Sequence, residues 1–87
     1  MKTIEDLMAL HAKRISSVDT QSGYMQLLEY TLQDLSLVHV LQWHFIEETE
    51  VINDTLLPCQ HVETFYNDKH SALRRAFQIG EELLMIR

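Results

Sequence analysis

Apolar residues are densest over residues 35–46, LSLVHVLQWHFI, where eight of twelve are apolar. Spaced about 100° apart, as on a helix, these side chains point all round the axis, the pattern of a helix buried on every side. Upstream, Ile4, Leu7, Met8, His11, Ile15 and Val18 share one helical face behind Thr3 and Asp6, which approximate a capping box. That pattern predicts a first helix ending near Ser16. A polar stretch then leads to residues 24–35, where Tyr24, Met25, Leu27, Leu28, Leu32 and Leu35 gather opposite Gln26, Glu29 and Gln33. This is the spacing of an amphipathic second helix. Pro58 suits the first turn of a further short helix with Val62, Phe65 and Tyr66 on its apolar side. Asn67 and Asp68 supply a break and a cap for a last helix over residues 69–86, striped by Leu73, Ala76, Phe77, Gly80, Leu83 and Leu84.

The central stretch also has strand periodicity. Leu35, Leu37, His39, Leu41, Trp43 and Phe45 alternate with Ser36, Val38, Val40, Gln42, His44 and Ile46. Two considerations favour the helix. A strand needs partners, and the other candidates are short pieces at residues 51–52 and 61–66. Two glycines and one proline in 87 residues are also few for a fold that must turn at short intervals. The expected fold is all-α: a compact bundle of four to five helices forming one small helical domain over residues 1–87. The alternative is α+β, with residues 35–46 as a strand.

Composition narrows the class. With 46% apolar and 23% charged residues, the chain has the balance of a folded domain rather than a disordered one. The single cysteine, Cys59, excludes an internal disulfide. Glu5 and Asp6 make the N-terminus unlike a signal peptide, and no apolar run approaches the roughly 20 residues of a membrane-spanning helix. The expectation is a cytoplasmic protein that does not engage a membrane.

Charge changes the picture most. Between Arg14 and Lys69 there is no lysine or arginine, while nine acidic residues fall inside: Asp19, Glu29, Asp34, Glu47, Glu48, Glu50, Asp54, Glu63 and Asp68. The chain as a whole carries a net charge of −6. A direct nucleic-acid ligand is disfavoured by that balance, since phosphate neutralisation needs clustered cations and only Arg74-Arg75 offers a pair. A field of one sign instead suits a basic protein partner. Basic ends folding back over the acidic middle would give a mixed, featureless surface.

Candidate chemistry is sparse. His44 and Glu48 stand four apart, Cys59 and His61 two apart, and His70 opens the last helix, but no paired ligand motif of a tetrahedral zinc site is present. His11 and His39 lie on apolar faces and fit the role of hydrogen-bonded histidines in or beside the core. Cys59 with His61 lacks the third, orienting group of a nucleophilic site. Glu47, Glu48 and Glu50 miss the EExxE spacing of magnesium-binding helices because Val51 occupies the final position. No phosphate-binding loop or nucleophile elbow occurs.

These observations point to a non-catalytic protein-interaction module without a cofactor, a regulator or stoichiometric inhibitor. Glu47, Glu48, Glu50 and Asp54 would dock a basic partner surface. A homodimer is expected because the central stretch offers more apolar surface than two or three short helical stripes cover. The other classes are a small ligand- or metal-binding protein using His44, Glu48 and His61, and a structural subunit with no independent activity.

Overall fold

A computed structural model describes residues 11–85, and it replaces the helical bundle with a sheet. Strands β1 (His11–Thr20), β2 (Gly23–Thr31), β3 (Leu37–Phe45), β4 (Thr49–Ile52), β5 (Thr55–Pro58) and β6 (His61–Tyr66) precede one helix, α1 (Lys69–Met85). An antiparallel sheet has the order β1-β2-β3-β6, and β4 and β5 form a separate two-stranded hairpin between β3 and β6. The all-α expectation is therefore wrong: the described residues are mostly β, a four-stranded antiparallel sheet with a C-terminal helix, and Leu37–Phe45 of the central stretch forms a strand. Residues 3–10 of the expected first helix lie outside the described residues, and its remainder runs as β1. The expected second helix is β2, the central stretch is β3, and the short helix after Pro58 is β6. Only the last helix lies where the sequence places it.

Pairing follows the pleat. Met25 lies opposite Trp43, Leu27 opposite Leu41 and Glu29 opposite His39, all on the face that α1 covers. Tyr24, Gln26, Leu28 and Tyr30 take the other face, paired with His44, Gln42, Val40 and Val38. A bulge between Arg14 and Ser16 inserts Ile15 into β1, so that Lys13 meets Glu29 in register while Ser16 meets Leu27. The bulge keeps Lys13, Ser16 and Val18 on the helix side of the strand.

The core is the seam between that face and α1. Met25, Leu27, Leu41 and Trp43 from the sheet pack with Ala72, Ala76, Ile79 and Leu83 from the helix, flanked by Val18, Phe45 and Phe65. Small residues at 72, 76 and 80 bring the helix close to the strands. The buried stripe is rotated from the one expected: Leu73, Phe77 and Leu84 are exposed, while Ala72 and Ile79 are buried. Asp68 caps the helix as expected, with its side chain accepting from the Ser71 amide at 3.1 Å.

Left-handed backbone makes the turns. Leu35, Asn53, Asp54 and Asn67 all have positive φ, with Asn53 and Asp54 forming the two-residue turn of the β4–β5 hairpin. Gly23 has φ +147°, and a Cβ there would overlap the carbonyl oxygen of His44. Gly80 is different: its Cβ would meet Val18 Cγ2 at 3.5 Å and Met25 Cε at 3.6 Å, which is ordinary contact. Gly23→Ala should therefore destabilise the domain by about 3 kcal/mol through strain and overlap. Gly80→Ala should be neutral or stabilise it by up to about 1 kcal/mol, because alanine is the better helix former. Urea unfolding of the two variants checks both.

Candidate functional site

Three groups of polar side chains stand out once the register is known. The first contains the residues singled out by charge. Glu47 and Glu48 lie in the turn after β3, Glu50 on β4 and Asp54 in the hairpin turn, all exposed. The four are distributed around the hairpin and its base rather than gathered on a helix face. Glu48 Oε2 lies 3.1 Å from His61 Nε2, and the Glu48 carbonyl accepts from the Cys59 amide at 2.7 Å, closing the base of the hairpin. Among the described residues, no lysine or arginine forms an ion pair with Glu47, Glu48, Glu50 or Asp54.

All eight residues of β4 and β5 are exposed. Val51 faces Leu56 across the ladder, at 69% and 67% exposure, with Thr49 and Pro58 on the same side. The other side carries Glu50 opposite Leu57 and Ile52 opposite Thr55. One face of the hairpin is thus uncharged and apolar, and the other mixes an acid with apolar residues. The radius of gyration, 14.6 Å, exceeds the roughly 12 Å of a compact chain of this length, as a projecting hairpin requires.

The second group lies between β6 and α1. The His61 ring stacks on Trp43 with centroids 5.2 Å apart, the Arg75 guanidinium lies 5.4 Å from the centre of the indole, and Arg75 Nε donates to Glu63 Oε1 at 3.1 Å. Each charge here has a partner, and the packing of Trp43 accounts for the arrangement. The metal trio considered from sequence does not assemble. His61 pairs in register with Trp43 on the helix side, whereas the adjacent His44 points to the other face, edge-on to Tyr24. Among the described residues, no three His, Cys, Asp or Glu side chains are arranged to hold a metal ion.

The third group is buried. Glu29 is 6% exposed and His39 is fully enclosed, an unusual pair of polar residues for the interior of so small a domain. His39 Nε2 lies 2.9 Å from Glu29 Oε2, Lys69 Nζ lies 3.3 Å from the same oxygen, and Lys13 Nζ lies 3.5 Å from Oε1. An ionised carboxylate only accepts, so Nε2 carries the hydrogen and donates it. That hydrogen bond is the main reason the Glu29 carboxyl is held below its ordinary value of 4.5. Burial opposes the shift, and the two lysines reinforce it. His39 is the enclosed, hydrogen-bonded histidine that its apolar surroundings suggest. Its partner is set by the β2–β3 register, which no sequence motif announces.

No family model matches the chain, and no curated protein or solved structure is significantly similar to it. Among the described residues, no helix is long and apolar enough to cross a membrane.

The sign of the Glu29 effect on stability follows from its lowered value. In the unfolded chain this carboxyl takes up its proton near pH 4.5, while in the folded state it does so only at lower pH. The unfolded state therefore binds more protons in that window, and stability falls with falling pH. The contribution is complete above the unfolded value and is lost as pH drops through the folded one. Glu29→Gln should cost about 2 kcal/mol near pH 7, as expected for a hydrogen bond to a charged group. The variant should also lose less stability than the native chain between pH 6 and about pH 3, since it lacks this linked proton. Paired urea unfolding curves at the two pH values measure the difference.

Proposed function

We propose that this chain is a non-catalytic protein-binding module that holds a basic partner protein on its β4–β5 hairpin. The observation that carries the proposal is the hairpin itself: eight exposed residues standing apart from the sheet, with Val51, Ile52, Leu56 and Leu57 open to solvent. A two-stranded hairpin is marginally stable on its own, and clustered exposed apolar side chains mark contact surfaces. The surrounding charge supports a basic partner. Glu47, Glu48, Glu50 and Asp54 form no ion pair with a lysine or arginine among the described residues, and their field speeds encounter with a cationic surface. The apolar face formed by Val51 and Leu56 supplies the contact that holds the partner after encounter. The mode of action is occupation of the partner's surface.

The test is affinity capture from a lysate of the source cells, with the native chain and two variants run at low and high salt. One variant changes Glu47, Glu48, Glu50 and Asp54 to Gln or Asn; the other is Val51→Ser combined with Leu56→Ser. The proposal expects a basic protein whose recovery falls at least about tenfold in each variant and in high salt, consistent with steering plus apolar contact. Recovery unchanged by both variants would remove the hairpin from the interaction. Native mass of the purified chain, with and without the charge variant, tests whether the partner is a second copy.

A further inference from the structure

α1 carries two apolar stripes, and the sheet covers one of them. Ala72, Ala76, Ile79 and Leu83 face the strands and are buried. Leu73, Phe77, Gly80 and Leu84 repeat the same four-three-four spacing one residue further on, so a second stripe runs beside the first along the flank of the helix. Phe77 and Leu84 are each 68% exposed, and Leu73 is exposed as well. α1 packs on Met25, Leu27, Leu41 and Trp43 of the two central strands, and Ser16 and Val18 of the edge strand β1 stay half-buried. Between the helix flank and β1 lies a cavity of about 380 Å³, with Ser16 and Val18 on one side and Leu73, Phe77, Gly80 and Leu84 on the other.

Charge changes sign along this flank. Arg74 and Glu81 are seven residues apart, two helical turns, and therefore lie on the same side of the stripe. Arg74 donates to His70 Nε2 at 2.8 Å and lies in the field of Asp68, while Glu81 stands at the edge of the cavity. Among the described residues neither belongs to an ion pair, whereas Lys69 is held by Glu29 and Arg75 by Glu63. At the far end of the helix, Glu82 and Met85 gather with Phe45, Glu47 and Glu48 at the base of the acidic hairpin. The first turn of α1 holds no acid and the last holds no base, so beyond the Asp68 cap its charges are not arranged for its own dipole.

We infer that this flank binds a second copy of the chain, with the two α1 helices antiparallel. In the register centred between residues 78 and 79, Phe77 of each copy lies over Gly80 of the other, where the stripe has no side chain, and Leu73 lies against Leu84. Arg74 of each copy then faces Glu81 of the other. A two-fold axis relates the copies, so every contact is made twice. Charge selects the direction. The antiparallel pair sets the basic beginning of each helix beside the acidic end of the other and keeps the two hairpins at opposite ends. Parallel helices would bring together two hairpin bases, each with Glu47, Glu48 and Glu82, and like charges in contact are unfavourable. The dimer is layered as sheet, paired helices and sheet. A chain of this length buries little apolar area alone, and the second stripe adds to it only in the pair. The hairpin takes no part in this contact, so the inference does not rest on the partner-binding proposal.

The test is sedimentation velocity of the full chain over about 1 to 100 µM, where a dimer with a Kd below about 10 µM is expected. Phe77→Asp should be monomeric throughout while circular dichroism shows the fold intact, because Phe77 is exposed in the single chain. Arg74→Glu and Glu81→Arg should each weaken the dimer at least about tenfold, since each reversal acts at two symmetry-related contacts. The double variant restores opposite charges across the interface and should return to within about threefold of the native Kd. Residues 74 and 81 are too far apart on one helix for that rescue to arise within a chain. Native mass spectrometry of the two single variants mixed in equal amounts should show the heterodimer exceeding either homodimer at least about tenfold. Val51→Ser combined with Leu56→Ser should dimerise like the native chain, which separates this interface from the hairpin. A monomer at about 100 µM would overturn the proposal and leave the flank to a partner of another kind. A dimer indifferent to Phe77→Asp would overturn it by placing the contact elsewhere. A dimer lost in Phe77→Asp but showing neither charge rescue nor heterodimer preference would overturn the antiparallel register.

Discussion

The seam between α1 and the central strands holds this domain together, because among the described residues α1 is the helix that covers Leu27 and Leu41 in the middle of the sheet. Leu27 and Leu41 sit side by side in the middle of β2 and β3, both fully enclosed, and Ala76 and Ile79 close over that region. Antiparallel sheets of this kind need one face against a core and tolerate water on the other. The cover is narrow. Alanines at 72 and 76 bring the helix backbone near the strands, at the cost of leaving Leu73, Phe77 and Leu84 outside the seam. Apolar area per residue is limited in a chain this short, so the ordering of each end of the seam depends on additional contacts. At one end Gly23 permits close approach of β2 to the turn after β3, with the Ile46 amide donating to the Ser22 carbonyl at 2.8 Å. At the other end Glu29 ties β1, β2, β3 and the first turn of α1 into one charged cluster.

That cluster explains how the uneven charge of the sequence is resolved. The basic flanks do fold back on the acidic middle, but selectively: Lys13 and Lys69 converge on Glu29, and Arg75 reaches Glu63. Buried or half-buried carboxylates thus receive cations, where an unpaired charge would be most unfavourable. The acids around the hairpin receive none among the described residues apart from the His61 contact of Glu48. Exposure makes this sustainable, since water screens an isolated surface carboxylate at little cost. Among the described residues the ion pairs with lysine and arginine go to Glu29 and Glu63, which are buried or half-buried, and the exposed acids, those of the hairpin among them, are left to solvent.

The sequence made α1 legible because that element has one buried face and one wet face, with Asp68 at its start and a long 3.6-residue period. It hid β2 and β3 for the opposite reason. Both strands carry apolar residues on both faces: Met25 and Leu27 against Leu28 and Tyr30, Leu41 and Trp43 against Val38 and Val40. When both faces of a strand are apolar, alternation disappears, and adjacent leucines such as Leu27 and Leu28 mimic a helical stripe. Counting glycine and proline also misled, because the turns use other residues at positive φ, including Leu35, Asn53, Asp54 and Asn67. Asn53-Asp54 between two β-branched or leucine-rich tetrads is a hairpin signal. The exposed acids were visible as composition, whereas the Glu29–His39 pair was not, because ten residues of separation become a contact only through the register.

The two polar centres differ in what they demand of the fold. Glu50 and Asp54 are exposed, so their charges could be replaced without leaving a buried group unsatisfied, although Asp54 also suits the positive φ of the hairpin turn. Glu29 is the reverse. It is enclosed in the core edge, and its acidity is maintained by His39, Lys69 and Lys13 together, so the carboxylate is already accounted for by folding. What folding leaves over at that end is the second nitrogen of His39, which has no hydrogen-bond partner among the described residues. The sheet register delivers Lys13 and His39 to this carboxylate, and the first turn of α1 adds Lys69. The paired carboxylate at one end and the exposed acids of the hairpin at the other are separate consequences of the same topology, with α1 and the β2–β3 register fixing the first and the departure of β4 from the main sheet exposing the second.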